Sequence, residues 1–412
     1  MKGVLVILDG VGDLPCKQLE NKTPLEAAET PNLDFLATRG KLGYMYPVRP
    51  GYAPGSDEAI VSIFGNDLLS STRGQLEARG ADVKLVRGDL AFRANFATID
   101  SLEKGNVKDR RGGRTITTAE ADSLAKSLSK IKLSCKVEVY ATVQHRIVVV
   151  FRGGFSDNIS GNDTTYSAGK SKQITKIGKC KPFDDDENSV YTANIVNEFL
   201  EKAYEILKDH QVNKERTKKG LLPANYILLR NGGIEKPKLK QYKKWVSANY
   251  LPLEIGFSKV SGMKNFSFKY PKLKGLDSYK NLWDGLKKAC KYSIKVVKKN
   301  KRADYVYIHL KETDLPGHDN KPFEKKHMIE HIDKTVFKFL RKFAPPNKIK
   351  IVVTADHPTP CKLKEHSADP VPVLLYDDSV PKEKTFCEKE CRKGALGRML
   401  GKNFLKKVGF AK

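Results

Sequence analysis

The stretch GVLVILDGV (residues 3–11) sets five consecutive apolar residues, Val4 to Leu8, directly before Asp9 and Gly10. A short apolar run without alternation is the pattern of a strand buried on both faces. Its ending matters as much, because the strand delivers a carboxylate to a loop. The pattern returns in ADYVYIHLKETD (303–314) and NKIKIVVTADHP (347–358), again apolar runs that end in acids. Between these two, residues 321–343 repeat apolar positions at helical spacing, and VPVLLYDD (371–378) reads as a further strand. Strand, helix and strand in this order predict an α/β fold with a mostly parallel sheet. Ligands of such sheets sit outside the carboxyl ends of the strands, where these acids lie.

Working inward, TPLEAAETPNLDFLATRG (23–40) predicts a short helix, a proline break and a second helix that stops at Gly40. The middle of the chain has a different texture. LAFRANFATID, VEVYATVQHRIVVVFRG and ANYILLRNGG are strand-like, 118–131 and 191–208 are helical, and 153–189 is polar and loop-like. The reading is therefore a discontinuous α/β domain, residues 1–75 with 256–412, into which an α+β domain, 76–255, is inserted.

Composition bounds the function. The chain has 412 residues and a formal net charge of +27. No apolar stretch approaches the roughly 18 residues needed to span a bilayer, and the first residues lack the apolar region of a signal peptide. The seven cysteines are scattered and complete no zinc site. A reduced, cytoplasmic protein with no membrane association is expected. The positive charge admits a nucleic-acid partner, but there is no glycine–aromatic RNA-binding signature and no Cys/His finger. In the densest basic run, 286–302, Leu286, Cys290, Ser293, Val296 and Val297 fall at helical spacing, as on a helix whose lysines face solvent. No nucleic-acid partner is expected; a positive field would also gather an anionic small-molecule substrate. The oligomeric state is left open.

Three segments could carry chemistry: Asp9 with Ser56 of PGSDEA, Asp314 and His318 of ETDLPGHDN, and Asp356, His357 and His366 of TADHPTPCKLKEHSADP. Each has an ordinary explanation. A serine after Pro-Gly is by itself a helix cap, and His145, His210, His309, His327 and His331 stand in no obvious metal context. Together, however, the carboxylates and imidazoles suit two divalent ions of the manganese, zinc or magnesium kind. Such a pair is a common device for phosphoryl transfer. A serine on one ion, at a helix start whose amides favour phosphoryl charge, becomes a nucleophile.

These strings, with KTPLEAAETPNLDFLA, GQLEARG, RANFATID, DRRGGR and HRIVVVFRG, run in order along nearly the whole chain. The sequence resembles the archaeal-type cofactor-independent phosphoglycerate mutases of the alkaline phosphatase superfamily. The resemblance implies an alkaline-phosphatase-like core and interconversion of 3- and 2-phosphoglycerate through a phosphorylated Ser56, without a bisphosphoglycerate cofactor. It implies one metal at Asp9, Ser56, Asp356 and His357 and a second at Asp314, His318 and His366. Manganese comes first, with magnesium, zinc or cobalt as substitutes. Phosphoglycerate would be held by Arg93, Arg111, Arg114, Arg146, Arg230 and Lys259, with His145 as acid or base. Departures from the family pattern fall in the insert, at Gly161, Asn162 and Asn231. The alternative is another phosphoryl transfer on the same core: a phosphatase, a phosphopentomutase or a homoserine-kinase-like enzyme.

Overall fold

The computed structural model describes all residues except 69–71, 164–165, 168–169, 172–174, 274, 380–383 and 412. Part of the loop-like 153–189 segment therefore lies outside the described residues. Gly3–Leu8, fully buried, is an inner strand of an eight-stranded sheet, between Tyr305–Leu310 and Lys350–Thr354. It pairs in parallel with both, Leu5 facing Tyr307 on one side and Val352 on the other. Trp245–Ala248 and Lys264–Asn265 extend the sheet in parallel on one side. On the other, Val371–Tyr376 runs antiparallel, and Gly40–Tyr46 and Gly397–Leu400 complete the edge. One strand of eight is reversed, so the sheet is mostly parallel. The sheet departs from the expected division in one respect: Trp245–Ala248, read as part of the insert, is hydrogen-bonded into the large sheet.

Helices cover the sheet as the sequence pattern requires. Pro24–Ala27 and Pro31–Thr38 begin at their prolines, whose missing N–H costs nothing in a first turn. Ser278–Lys299 buries Leu286, Cys290, Ser293, Val296 and Val297 and turns its lysines outward. Pro322–Ile332 passes through a π turn, Asp333–Phe337, into Lys338–Phe343. The buried Asp333 carboxylate accepts the Asn32 and Leu33 N–H groups at 3.3 and 2.8 Å, serving the otherwise unpaired amides of the neighbouring helix start.

A second, antiparallel sheet is formed by Leu90–Ile99, Val107–Asp109, Lys136–Ala141, Arg146–Arg152 and Tyr226–Gly233. Thr118–Leu128 and Glu187–Lys208 pack on it around Phe92, Phe96, Phe151 and Phe199. It has its own hydrophobic core, separate from that of the large sheet. Among the described residues, no helix is long and apolar enough to cross a membrane.

Candidate active site

Three parallel strands end side by side, and their ends build the site. Asp9 follows Leu8, Lys311 and Asp314 follow Leu310, and Asp356 follows Thr354. Gly10 lets these loops close up. Its φ is +60°, and a Cβ there would lie 2.5 Å from Thr359 Oγ1 and 2.8 Å from Asp314 Oδ1.

Ser56 enters from the helix Ser56–Ile63. The capping expectation needs correction. Gly55 is the N-cap and Ser56 the first helical residue, while Glu58 Oε2 accepts the Gly55 N–H at 2.9 Å. With the cap's work done by Glu58, the Ser56 hydroxyl faces the strand ends. Ser56 Oγ lies 3.1 Å from His357 Nε2, which lies 3.2 Å from Asp9 Oδ1 and 3.4 Å from Asp356 Oδ2. The second set meets beside it: Asp314 Oδ2 is 3.4 Å from His318 Nε2, and Asp314 Oδ1 is 3.8 Å from His366 Nε2. The His357 and His366 rings stack at 3.6 Å between centroids. All seven ligand-type side chains named from the sequence are thus brought together.

These groups fit a pair of cations. Among the described residues, Asp9 Oδ1 and Asp356 Oδ2 are buried with no hydrogen-bond partner, a cost that a bound cation would offset. The imidazoles turn their Nε2 atoms inward because the other nitrogen is engaged: His318 Nδ1 lies 2.8 Å from Lys364 O, His366 Nδ1 2.7 Å from Pro54 O and His357 Nδ1 3.2 Å from Thr359 Oγ1. Outer partners of this kind orient metal-binding histidines. Burial, and then the nearby Asp356, push the Asp9 carboxyl well above the usual carboxylate range. Although burial opposes it, the His318 and His366 imidazoles hold Asp314 well below that range.

Two further residues belong here that sequence reasoning missed. Lys311 Nζ is bound to Asp9 and lies 2.9 Å from Glu254 Oε1, 3.8 Å from Asp356 Oδ2 and 3.5 Å from Ser56 Oγ. Burial opposes its charge, but the three carboxylates hold the ammonium protonated well above the usual range for lysine. His309, set aside as lacking metal context, presents Nε2 to Asp356 Oδ2 at 3.5 Å, with the Tyr307 hydroxyl 2.8 Å from Nδ1. In the sequence Lys311 is only a lysine at a strand end, three residues before Asp314.

Opposite the strand ends, the second sheet contributes a bank of arginines. Arg93 and Arg230 are cross-strand neighbours. Arg146 opens its strand, and Arg111 sits in the turn after Val107–Asp109. All four line the cleft that also exposes Ser56, Asp9, Lys311 and Asp314. Arg73 and Arg110, not foreseen, join them, braced by Asp57 at 2.9 Å and Asp163 at 2.8 Å. Among the described residues, Arg93 Nη1 is buried without a hydrogen-bond partner. Burial, then Arg230 and Arg73, push the Arg93 guanidinium well below the usual arginine range. So many converging guanidinium groups, Arg93 and Arg230 among them buried, call for an anion between them. His145 lines an adjoining compartment with Arg111, Arg114 and Arg146. Burial, then Arg146, hold it well below the usual histidine range, in its neutral form.

Lys259 is the exception. Its Nζ is 2.6 Å from Asp82 Oδ1 in a solvent-exposed pair, and it lines no part of the cleft. The reason is helical phase and length: Pro252–Val260 turns its first residues, Leu253 and Glu254, to the cleft and ends with Lys259 outside. Asn231, where a glycine was expected, has φ of 52°. Asparagine is among the few residues other than glycine at home there. Asn162 is buried and stitches the insert, accepting the Leu229 N–H at 2.6 Å and donating to Ile227 O at 2.9 Å.

The chain is similar to known proteins along almost its whole length. Residues 37–213 match the model of the 2,3-bisphosphoglycerate-independent phosphoglycerate mutase family. Proteins of that name from Thermococcus kodakarensis and Pyrococcus furiosus are each 40% identical to this chain, over 97% of it and 94% of their own length. Among solved structures, the cofactor-independent phosphoglycerate mutase of Thermoplasma acidophilum aligns with a TM-score of 0.56 and 30% identity over 98% of both chains. A Pyrococcus horikoshii protein aligns at 0.76 and 29%, over 100% of this chain and 98% of its own. The chain belongs to the 2,3-bisphosphoglycerate-independent phosphoglycerate mutase family.

Proposed function

We propose that the chain interconverts 3-phosphoglycerate and 2-phosphoglycerate, with Ser56 carrying the phosphoryl group between the two oxygens. The observation that supports this most is that one cleft joins a buried serine, two carboxylate–imidazole sets and a facing bank of arginines. Asp9, Asp356 and His357 with Ser56, and Asp314, His318 and His366, would hold two divalent cations, manganese first. When bound, these neutralise phosphoryl charge and favour the ionised serine hydroxyl. Seven free thiols fit a reducing cytoplasm.

The arginines 93, 111, 146 and 230 orient the substrate by its carboxylate, so that its phosphate meets Ser56 and the free N–H groups at the helix start. Ser56 Oγ attacks phosphorus in line; its bond to phosphorus forms as the bond to the 3-oxygen breaks. The glycerate then reorients within the cleft. Neutral His145 takes the proton of the 2-hydroxyl and hands it to the 3-oxygen released in the first transfer; the 2-oxygen attacks phosphorus as the bond to Ser56 breaks, and Ser56 leaves in its ionised form. Water must be kept out throughout, or the phosphoserine hydrolyses.

The test is incubation of the full chain with 3-phosphoglycerate and manganese, without bisphosphoglycerate. The expected result is 2-phosphoglycerate, with a phosphorylated Ser56 peptide in acid-quenched samples. Free phosphate as the sole product would replace this reading with a phosphatase.

A further inference from the structure

The chain passes between the two sheets twice, and the crossings are tied together at one end of the cleft. The Lys240 N–H donates to Asn66 Oδ1 at 2.7 Å, and Gln75 Nε2 donates to Gly233 O at 2.8 Å. The other end has no covalent connection. There two loops of the insert reach the catalytic domain. Arg114 is ion-paired with Asp319, which also accepts the Tyr279 hydroxyl at 2.8 Å. Gln144 Nε2 donates to Asn281 Oδ1 at 2.9 Å. Tyr279 and Asn281 are in the first turn of Ser278–Lys299, and Asp319 directly follows His318.

Both reaching residues are held in the left-handed region, Arg114 at φ 57° and Gln144 at φ 54°. That conformation is unfavourable for a long side chain and persists where surrounding structure imposes it, commonly at clamps and switches. Both neighbour the site: Arg114 shares the turn of Arg111, and Gln144 precedes His145. The Asp109 carboxylate shapes the turn, accepting the Arg111 and Gly113 N–H groups at 2.6 and 2.9 Å.

We propose that Asp319, with Tyr279 and Asn281, is the receiving half of an interdomain latch closed by Arg114 and Gln144. Asp319 is thereby a positioning residue: it holds the insert over the cleft and keeps water from the phosphorylated serine. Arg114, expected from the resemblance to clamp substrate, acts here through Asp319. The latch rests on the phosphoserine reading for its consequence, but not for its existence.

The experiment compares wild type, Asp319→Asn, Arg114→Asn and the double variant. Asparagine is chosen at 114 because it tolerates positive φ. The main readout is free phosphate released per 2-phosphoglycerate formed. Each single variant is expected to raise this ratio about fivefold, the reach of one part-exposed ion pair. The double variant should be no worse than either single one. A change that merely weakened metal binding would slow both products and leave the ratio alone. Small-angle X-ray scattering, which needs no chemistry, should give both single variants a larger radius of gyration than wild type. An unchanged ratio with unchanged scattering, or effects that add in the double variant, would overturn the latch. Should Asp319→Asn fail to fold, Arg114→Asn and Tyr279→Phe carry the same test from the two partners. A wild type that never forms phosphoserine would sink the mechanistic reading, and the scattering comparison would still decide on the latch.

Discussion

Ser56 Oγ and His357 Nε2, 301 residues apart in sequence, lie 3.1 Å from each other below the cleft. The pairing puts the hydroxyl at the junction of the first carboxylate–imidazole set, on the Nε2 side of His357 that faces Asp9 and Asp356. Ser56→Ala should therefore lose at least about 1,000-fold in mutase turnover, as expected when a nucleophile is removed. The helix should survive, because Glu58 rather than Ser56 serves the Gly55 amide. Coupled activity with circular dichroism checks both halves, and undiminished turnover in the variant would end the phosphoserine route.

Lys311 is the cation around which Asp9, Glu254 and Asp356 gather. Removing one partner of a buried charge cluster costs about 3–5 kcal/mol, because the remaining charges are left uncompensated. Lys311→Met should therefore lower the melting temperature sharply in the presence of a chelator. Manganese should restore more stability to the variant than it adds to wild type, since it supplies the missing positive charge. Thermal melts with chelator and with metal give the comparison; equal metal-induced gains in the two proteins would contradict it.

Lys259 and Arg93 make a contrasting pair. The first is bound to Asp82 in solvent, the second is buried in the wall of the cleft. Lys259→Ala should change kcat and KM by less than about twofold, as for a surface pair of little energetic weight. Arg93→Lys should weaken substrate capture by at least about tenfold, because a lysine cannot reproduce a planar fork of donors. Steady-state kinetics on both variants decides, and a strong defect in Lys259→Ala would return that residue to the site.

What the sequence disclosed, and what it concealed, follows from range. The strand-end acids were legible because an apolar run is a local signal and its direction points the next residue at the site. Ser56 was legible from a different local signal, a Pro-Gly pair leading into a helix. Lys311 was not, because a lysine at a strand end ordinarily reads as surface charge; only the neighbouring strands show that it is ringed by carboxylates. His309 lies inside a buried strand, where a histidine reads as core. Lys259 was misplaced because its cleft-facing helix neighbours, Leu253 and Glu254, are about one and a half turns earlier, on the other face of the helix. The partner of Arg114 lies across a domain boundary, 205 residues away, beyond any local pattern.

Glu388 gives a pH dependence whose sign can be worked out. Its Oε1 accepts the Asp13 N–H at 3.1 Å, and Oε2 pairs with the Thr23 hydroxyl at 2.7 Å. Burial pushes the carboxyl from its ordinary 4.5 up to about 7. The folded state thus holds a proton that the unfolded chain has released between these values. The stability this group contributes is complete below the unfolded value and is lost as pH rises through about 7. Glu388→Gln keeps an acceptor for Asp13 and supplies a donor for Thr23, with no titration. The variant and wild type should melt alike at acidic pH near the unfolded value. Near pH 8 the variant should be the more stable by about 1–2 kcal/mol, a discounted share of the shift. Denaturant melts across this range measure the difference. A wild type that gains stability relative to Glu388→Gln as pH rises would show that Glu388 is held as a carboxylate in the fold.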